Sequence, residues 1–236
     1  GEPVAITVVN TLSEATAVHW HGIELESYFD GVAGFSGNGS RISPVIAPAD
    51  SFVALFTPPR AGTFIYHTHI DEERQQPAGL AGPIIVLEPG QQYDPAKDFA
   101  VVASTPRNRL LPDGVLPRDV WLNGSPTPEP HDVQVGEHYR IRFINMTTGV
   151  PGLRFELAHD GKLVEWSVVA KDGADLPADR QGSRVARQPV SIGETADVEF
   201  APLTPGDHIL TARIADGRVI GTFVIRASLP KNGRMP

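Results

Sequence analysis

Four of the chain's eight histidines stand in two tight pairs, His19-Trp20-His21-Gly22 and His67-Thr68-His69. On an extended strand, residues i and i+2 project from the same face about 6.5–7 Å apart. One pair can therefore share a single ion, or its members can serve different ions of a cluster. Neutral imidazole suits copper, zinc, iron and nickel alike. The chain has no cysteine. No disulfide, thiolate nucleophile, zinc ribbon, iron–sulfur centre or cysteine-ligated blue copper can be built from it alone. A single His-x-His is weak evidence, because half-buried and exposed histidines are common on strands. Two such pairs within residues 1–92 point to metal, and leave a four-histidine ion and a multi-ion cluster both open.

The run His67-Thr68-His69-Ile70-Asp71 also comes close to the His-x-His-x-Asp-His zinc motif of metallo-β-lactamase-like hydrolases. Glu72 stands where that motif needs its last histidine, and that fold alternates strands with helices, which this sequence lacks.

The elements that must position these histidines are strands. Residues 4–9 are β-branched and end at Asn10, and residues 18–21 form a short extended piece closed by Gly22. Residues 51–57 alternate about Phe52, Ala54 and Phe56, and 63–69 and 82–87 read as two further strands. Residues 28–40 form a loop rich in Gly, Ser and Asn, Pro58-Pro59-Arg60-Ala61-Gly62 is a turn, and residues 93–98 look like a linker after the Pro89-Gly90 break. A second block begins at Phe99, with strands expected at 99–104, 119–122, 132–135, 138–144, 153–158, 163–169, 196–200, 207–214 and 219–226. The turns between them carry Asp160-Gly161, Asp172-Gly173, Pro205-Gly206 and Asp216-Gly217, the Asp-Gly pairs being strong hairpin signals.

No helical periodicity reaches three turns, and glycine (23) and proline (22) are plentiful among the 236 residues. The fold class is all-β: two antiparallel sandwiches in tandem, residues 1–92 and 93–236. The two blocks share a faint likeness, Gly1-Glu2-x-Val-x-Ile-x-Val-x-Asn10 against Gly136-Glu137-x-x-x-Ile-x-Phe-x-Asn145, as two copies of one sandwich would. Net charge is −8 with no dense Lys/Arg run, which argues against a nucleic-acid or anionic-membrane partner. No apolar run of about 18 residues is present for a transmembrane helix, and the opening residues do not read as a cationic-apolar signal peptide.

The order of features along residues 1–90 resembles one family. After the first strand come His-Trp-His-Gly, then Asp30-Gly31 and Ile46-Ala47-Pro48-x-Asp50-Ser51-Phe52. Next come Ala61-Gly62-Thr63-Phe64-x-Tyr66-His67-Thr68-His69 and Gly79-Leu80-x-Gly82-Pro83-Ile84-Ile85-Val86. This is similar to the first cupredoxin domain of the multicopper oxidases, the laccase and copper-resistance oxidase family. Residues 98–228, with Trp121-Leu122-Asn123-Gly124 and Tyr139-Arg140-Ile141-Arg142-Phe143-Ile144-Asn145, resemble the family's middle, copper-free domain.

The resemblance implies two cupredoxin-like Greek-key β-sandwiches, with copper ligands in the first only. It implies that His19 ligates a type-2 copper and that His21, His67 and His69 ligate a type-3 pair. Asp30 matches the acid that assists proton delivery during O₂ reduction, and reads equally as a plain Asp-Gly turn. Trp20 and Tyr66 read as packing. His131, His138, His159 and His208 are isolated, and Met146 and Met235 lack a Cys/His context, so no type-1 copper site is expected here.

Four further histidines would have to come from elsewhere. The chain is therefore expected to be a piece of a three-domain oxidase, or the later part of a domain-permuted one. The polar end Lys231–Pro236 mildly favours the second. The expected partners are O₂, a small reducing substrate, and a blue-copper domain or neighbouring subunits that complete the cluster. Periplasmic or extracellular placement follows from the resemblance alone. The alternatives are a non-catalytic copper-binding module for storage, delivery or resistance, and a structural sandwich whose histidines are incidental.

Overall fold

The computed structural model describes residues 1–106, 120–150 and 152–230. The chain divides into two compact units, Gly1–Gln91 and Gln92–Pro236. The expected tail from Lys231, Met235 included, lies outside the described residues.

The first unit contains β1 (Val4–Val9), β2 (Val18–His21), β3 (Ser51–Phe56), β4 (Gly62–Thr68), the single helical turn α1 (Glu72–Gln75) and β5 (Ala81–Val86). β1 pairs antiparallel with β3, and β4 lies between β2 and β5 in a second antiparallel sheet. Alternation sets the faces. Val4, Ile6 and Val8 from β1 and Phe52, Ala54 and Phe56 from β3 meet Val18, Trp20, Phe64, Tyr66, Ile84 and Val86 in one apolar core. Trp20 and Tyr66 are thus packing residues, and the histidines on the same strands are turned to the opposite face.

The second unit contains β6 (Asp98–Ser104), β7 (Trp121–Leu122), β8 (His131–Gln134), β9 (Tyr139–Met146), β10 (Arg154–His159), β11 (Lys162–Leu163), β12 (Glu165–Lys171), β13 (Ala174–Asp175), β14 (Ser183–Val185), β15 (Arg187–Pro189), β16 (Thr195–Phe200), β17 (Gly206–Arg213) and β18 (Val219–Ser228). One sheet runs β11-β10-β17-β18-β8 with β15 on β10. The other runs β13-β12-β16-β9-β6-β7 with β14 on β12. Their facing sides form one core in which Phe143 stacks on Phe155 at 4.4 Å, with Trp166 beside them.

Several boundaries differ from the sequence expectation. The strand expected at 163–169 breaks at Val164: Asp160 and Gly161, both at positive φ, fold β11 back onto β10, and the chain then crosses to the other sheet as β12. The strand expected at 119–122 is described only from residue 120 and is regular at Trp121–Leu122. Asp98, expected in the linker, opens β6, where its carboxylate binds Arg142 of β9 at 2.5 and 2.6 Å. No described helix is long and apolar enough to cross a membrane.

The faint repeat has a structural counterpart. Asn10 and Asn145, each buried at a strand end, donate Nδ2 to a distant carbonyl, Ile46 at 2.9 Å and Val190 at 2.8 Å. Each also accepts at Oδ1 from the backbone N–H two residues on, Leu12 and Thr147. The carbonyl of each receives the N–H of a residue at positive φ, Ala49 and Gly193. One local solution is used once in each unit.

Candidate metal centre

The two His-x-His pairs are brought together by the register of β2 and β4, in which His19 lies directly opposite His67 and His21 opposite Ile65. Ring centroids are 5.3 Å apart for His19–His67, 5.4 Å for His19–His21 and 5.5 Å for both His21–His67 and His19–His69. His67 and His69 are 5.8 Å apart. His19, His21 and His67 each offer a ring nitrogen within 4.8 Å of the others. β4 ends at Thr68, one residue before His69, whose backbone N–H donates to the Ala17 carbonyl and so stays beside β2.

Backbone carbonyls behind His19 and His67 select a tautomer, and a carboxylate lies near His69. His19 Nδ1 lies 2.9 Å from the Asp30 carbonyl oxygen and 3.2 Å from its Oδ1. His67 Nδ1 lies 2.7 Å from the Thr68 carbonyl. His69 Nδ1 lies 3.3 Å from Oε1 of Glu72. A proton on Nδ1 of His19 and of His67 leaves the Nε2 lone pair of each ring available to a metal. His67 Nε2 and His21 Nδ1 are 3.4 Å apart.

Burial lowers the pKa of His19, but the side chain and carbonyl of Asp30 outweigh it and hold the ring above its ordinary value. Burial, aided by His19 and His21, holds His67 below its ordinary value and so favours the neutral ring, the form that binds metal.

Asp30 is both an Asp-Gly turn and a neighbour of the site. It closes a 3-10 turn, Ser27–Phe29, and its carbonyl accepts from the Trp20 N–H. Gly31, at φ +82°, then lets the loop run against β2.

Thr68, between His67 and His69, points away from the histidine face and is fully buried. Its hydroxyl and that of Thr16 both lie 2.8 Å from Oε1 of Gln75, whose Nε2 donates to the Ala15 carbonyl at 2.9 Å. Sequence reading noted Glu72 only as a mismatch to a zinc motif and passed over Gln75. Their sole sequence signal was a spacing of three on one helical turn.

Among the described residues, none of the remaining histidines joins a group of three potential donors. His131 stacks on Phe99 at 3.7 Å, His159 stacks on His208 at 4.4 Å, and His138 is exposed. Met146 is buried in β9.

Comparison with known proteins puts this face in context. Residues 1–91 match the profile of a multicopper oxidase domain family. Laccase-2 of Fomitopsis schrenkii is 30% identical over 185 residues, covering 70% of this chain and 32% of the relative. Multicopper oxidase MmcO of Mycobacterium tuberculosis is 34% identical over 177 residues, covering 75% of this chain and 29% of its own length.

The chain belongs to the multicopper oxidase family.

A crystal structure titled as a multicopper oxidase superposes with a TM-score of 0.77 at 21% identity, covering 97% of this chain and 75% of the other. That likeness shows the fold, and both sandwiches are cupredoxin-like. The chain spans about a third of the length of the two relatives named above. Copper is the metal that multicopper oxidases employ, and the donor set fits it: imidazole nitrogens, oriented from behind by oxygen acceptors, with no competing thiolate.

Proposed function

We propose that this chain supplies one half of the copper cluster of a laccase-like multicopper oxidase. The observation that carries this is the convergence of His19, His21 and His67 nitrogens within 4.8 Å, with His69 on the same face. By the family pattern His19 would hold a type-2 copper, and His21, His67 and His69 would hold the type-3 pair. Bound copper would supply reversible one-electron chemistry, so that electrons from a phenol, aromatic amine or low-valent metal ion reduce O₂ to water.

The chain's own residues would orient and supply protons. β2 and β4 fix the spacing of the rings, and the Asp30 and Thr68 carbonyls hold protons on Nδ1 of His19 and His67. Reduction of O₂ to water consumes protons. The Asp30 carboxylate would relay them from solvent, a role supported by its being about a quarter exposed and 3.2 Å from His19.

Electron entry and the other ligands would come from a blue-copper domain outside this sequence or from neighbouring subunits, because the chain has no cysteine for a type-1 site. Periplasmic or extracellular placement belongs to this reading.

Oxygen consumption with a phenol as reductant tests it. The copper-loaded chain alone should consume none. The protein that contains both this chain and a blue-copper domain should be active, and His67→Ala should abolish that activity. Stoichiometric copper without oxygen consumption in that larger protein would favour a storage or delivery module instead.

A further inference from the structure

A second carboxylate reaches the histidine face. Glu72 opens α1, and its Oε1 lies 3.3 Å from His69 Nδ1. Building on the copper-ligand reading above, we propose that Glu72 is the positioning residue for His69: it accepts the Nδ1 proton and so presents Nε2 as the ligand atom.

The rings are held from behind in two different ways. His19 and His67 are held from behind by backbone carbonyls, Asp30 at 2.9 Å and Thr68 at 2.7 Å, which the strands and the Asp30 turn fix in place. His69 lies beyond the end of β4, and a side chain faces its Nδ1 instead. An imidazole free of such a partner samples both tautomers and several ring orientations, so a ligand at this position needs an acceptor.

Glu72 can serve only if α1 is itself held, and it is. Gln75, one helical turn later, is buried and tied to Thr16, Thr68 and Ala15. The guanidinium of Arg74 binds Asp71 at 2.6 Å and also Glu14. Asp71 takes a left-handed conformation, φ +50°, that turns the chain from His69 into the helix. The same Gln75 thus grips Thr68 beneath the ligand strand and sets the turn that carries Glu72 above it.

Two measurements on the whole chain test the proposal. The first is the tautomer of each imidazole in nitrogen-15-labelled, copper-free protein, read from long-range proton–nitrogen correlations at mildly alkaline pH. The second is copper(II) affinity by competition with a chelator. His69 should carry its proton on Nδ1. Glu72→Ala should move that proton toward Nε2 and weaken copper(II) binding at least about tenfold. Glu72→Gln, whose amide oxygen still accepts, should restore the tautomer and recover most of the affinity.

Glu72 is half-buried on a one-turn helix outside β2 and β4, so both variants should keep wild-type shifts across those strands. An unchanged His69 tautomer in Glu72→Ala, or a Gln variant that behaves like the Ala variant, overturns the proposal. Should wild-type protein bind no stoichiometric copper(II), the copper reading falls, and the tautomer shift still decides whether Glu72 orients His69.

Discussion

Gly31 passes so close to Val18 that a methyl group on Gly31 would lie 1.8 Å from the Val18 carbonyl oxygen. That approach joins the Asp30 turn to the back of the strand bearing His19 and His21. It puts one residue's carbonyl and carboxylate behind the same imidazole. The site is therefore assembled by backbone contact as much as by ligand spacing.

Gly31→Ala should be far more damaging than Gly34→Ala. Both positions have φ near +80°, but nothing lies within 4 Å of a Cβ at Gly34. The left-handed backbone alone costs about 1 kcal/mol. Overlap with a carbonyl should bring Gly31→Ala to about 3 kcal/mol or more. Urea unfolding of the two variants reads the difference, and equal midpoints would count against the close approach.

Gln75→Leu should cost about 2–3 kcal/mol, because it removes the acceptor for two buried hydroxyls and the donor to the Ala15 carbonyl. Thermal unfolding measures this. The same variant should weaken copper(II) binding, since Thr68 anchors the strand between His67 and His69.

His19 and His67 face each other across two strands, yet their pKa values should shift in opposite directions. Burial lowers His19, but Asp30 outweighs burial and raises it above about 6.5, while burial and the neighbouring rings hold His67 below. In the metal-free chain the His19 contribution to stability is complete below about pH 6.5 and is lost as pH rises through its raised folded value. The His67 contribution is present above about pH 6.5 and is lost as pH falls through its lowered folded value. An NMR titration should show His19 protonating before His67, and Asp30→Ala should lower His19. The reverse order would contradict the assigned environments.

In the second unit, Asp197 is buried and its Oδ2 accepts from Arg140 at 2.7 and 2.9 Å and from Arg142 at 2.9 Å. Asp197→Ala withdraws a counter-charge from a buried guanidinium and should destabilise by about 3 kcal/mol. Chemical denaturation should report it. A loss below about 0.5 kcal/mol, the size expected of a surface change, would show that Arg142 does not depend on Asp197.

Much of this architecture was legible in the sequence. Alternation about Phe52, Ala54 and Phe56 located β3, and β-branched residues 4–9 located β1, because one face of each strand packs on a core. The His-x-His spacings named the four ring positions, since period-two geometry is local. Their convergence was not local: it depends on His19 falling opposite His67, a register that no single segment encodes. β13, β14 and β15 escaped notice because they are short, largely exposed edge strands without an apolar alternation. Glu72 and Gln75 escaped because a single helical turn carries no periodicity. Their meaning lies in partners such as Thr16, 59 residues away.

The most direct test is a copper(II) titration of the purified chain followed by electron paramagnetic resonance, with His67→Ala in parallel. The account predicts stoichiometric copper whose spectrum carries imidazole-nitrogen couplings, with binding lost in the variant. Absence of stoichiometric copper, or undiminished binding by His67→Ala, would contradict it.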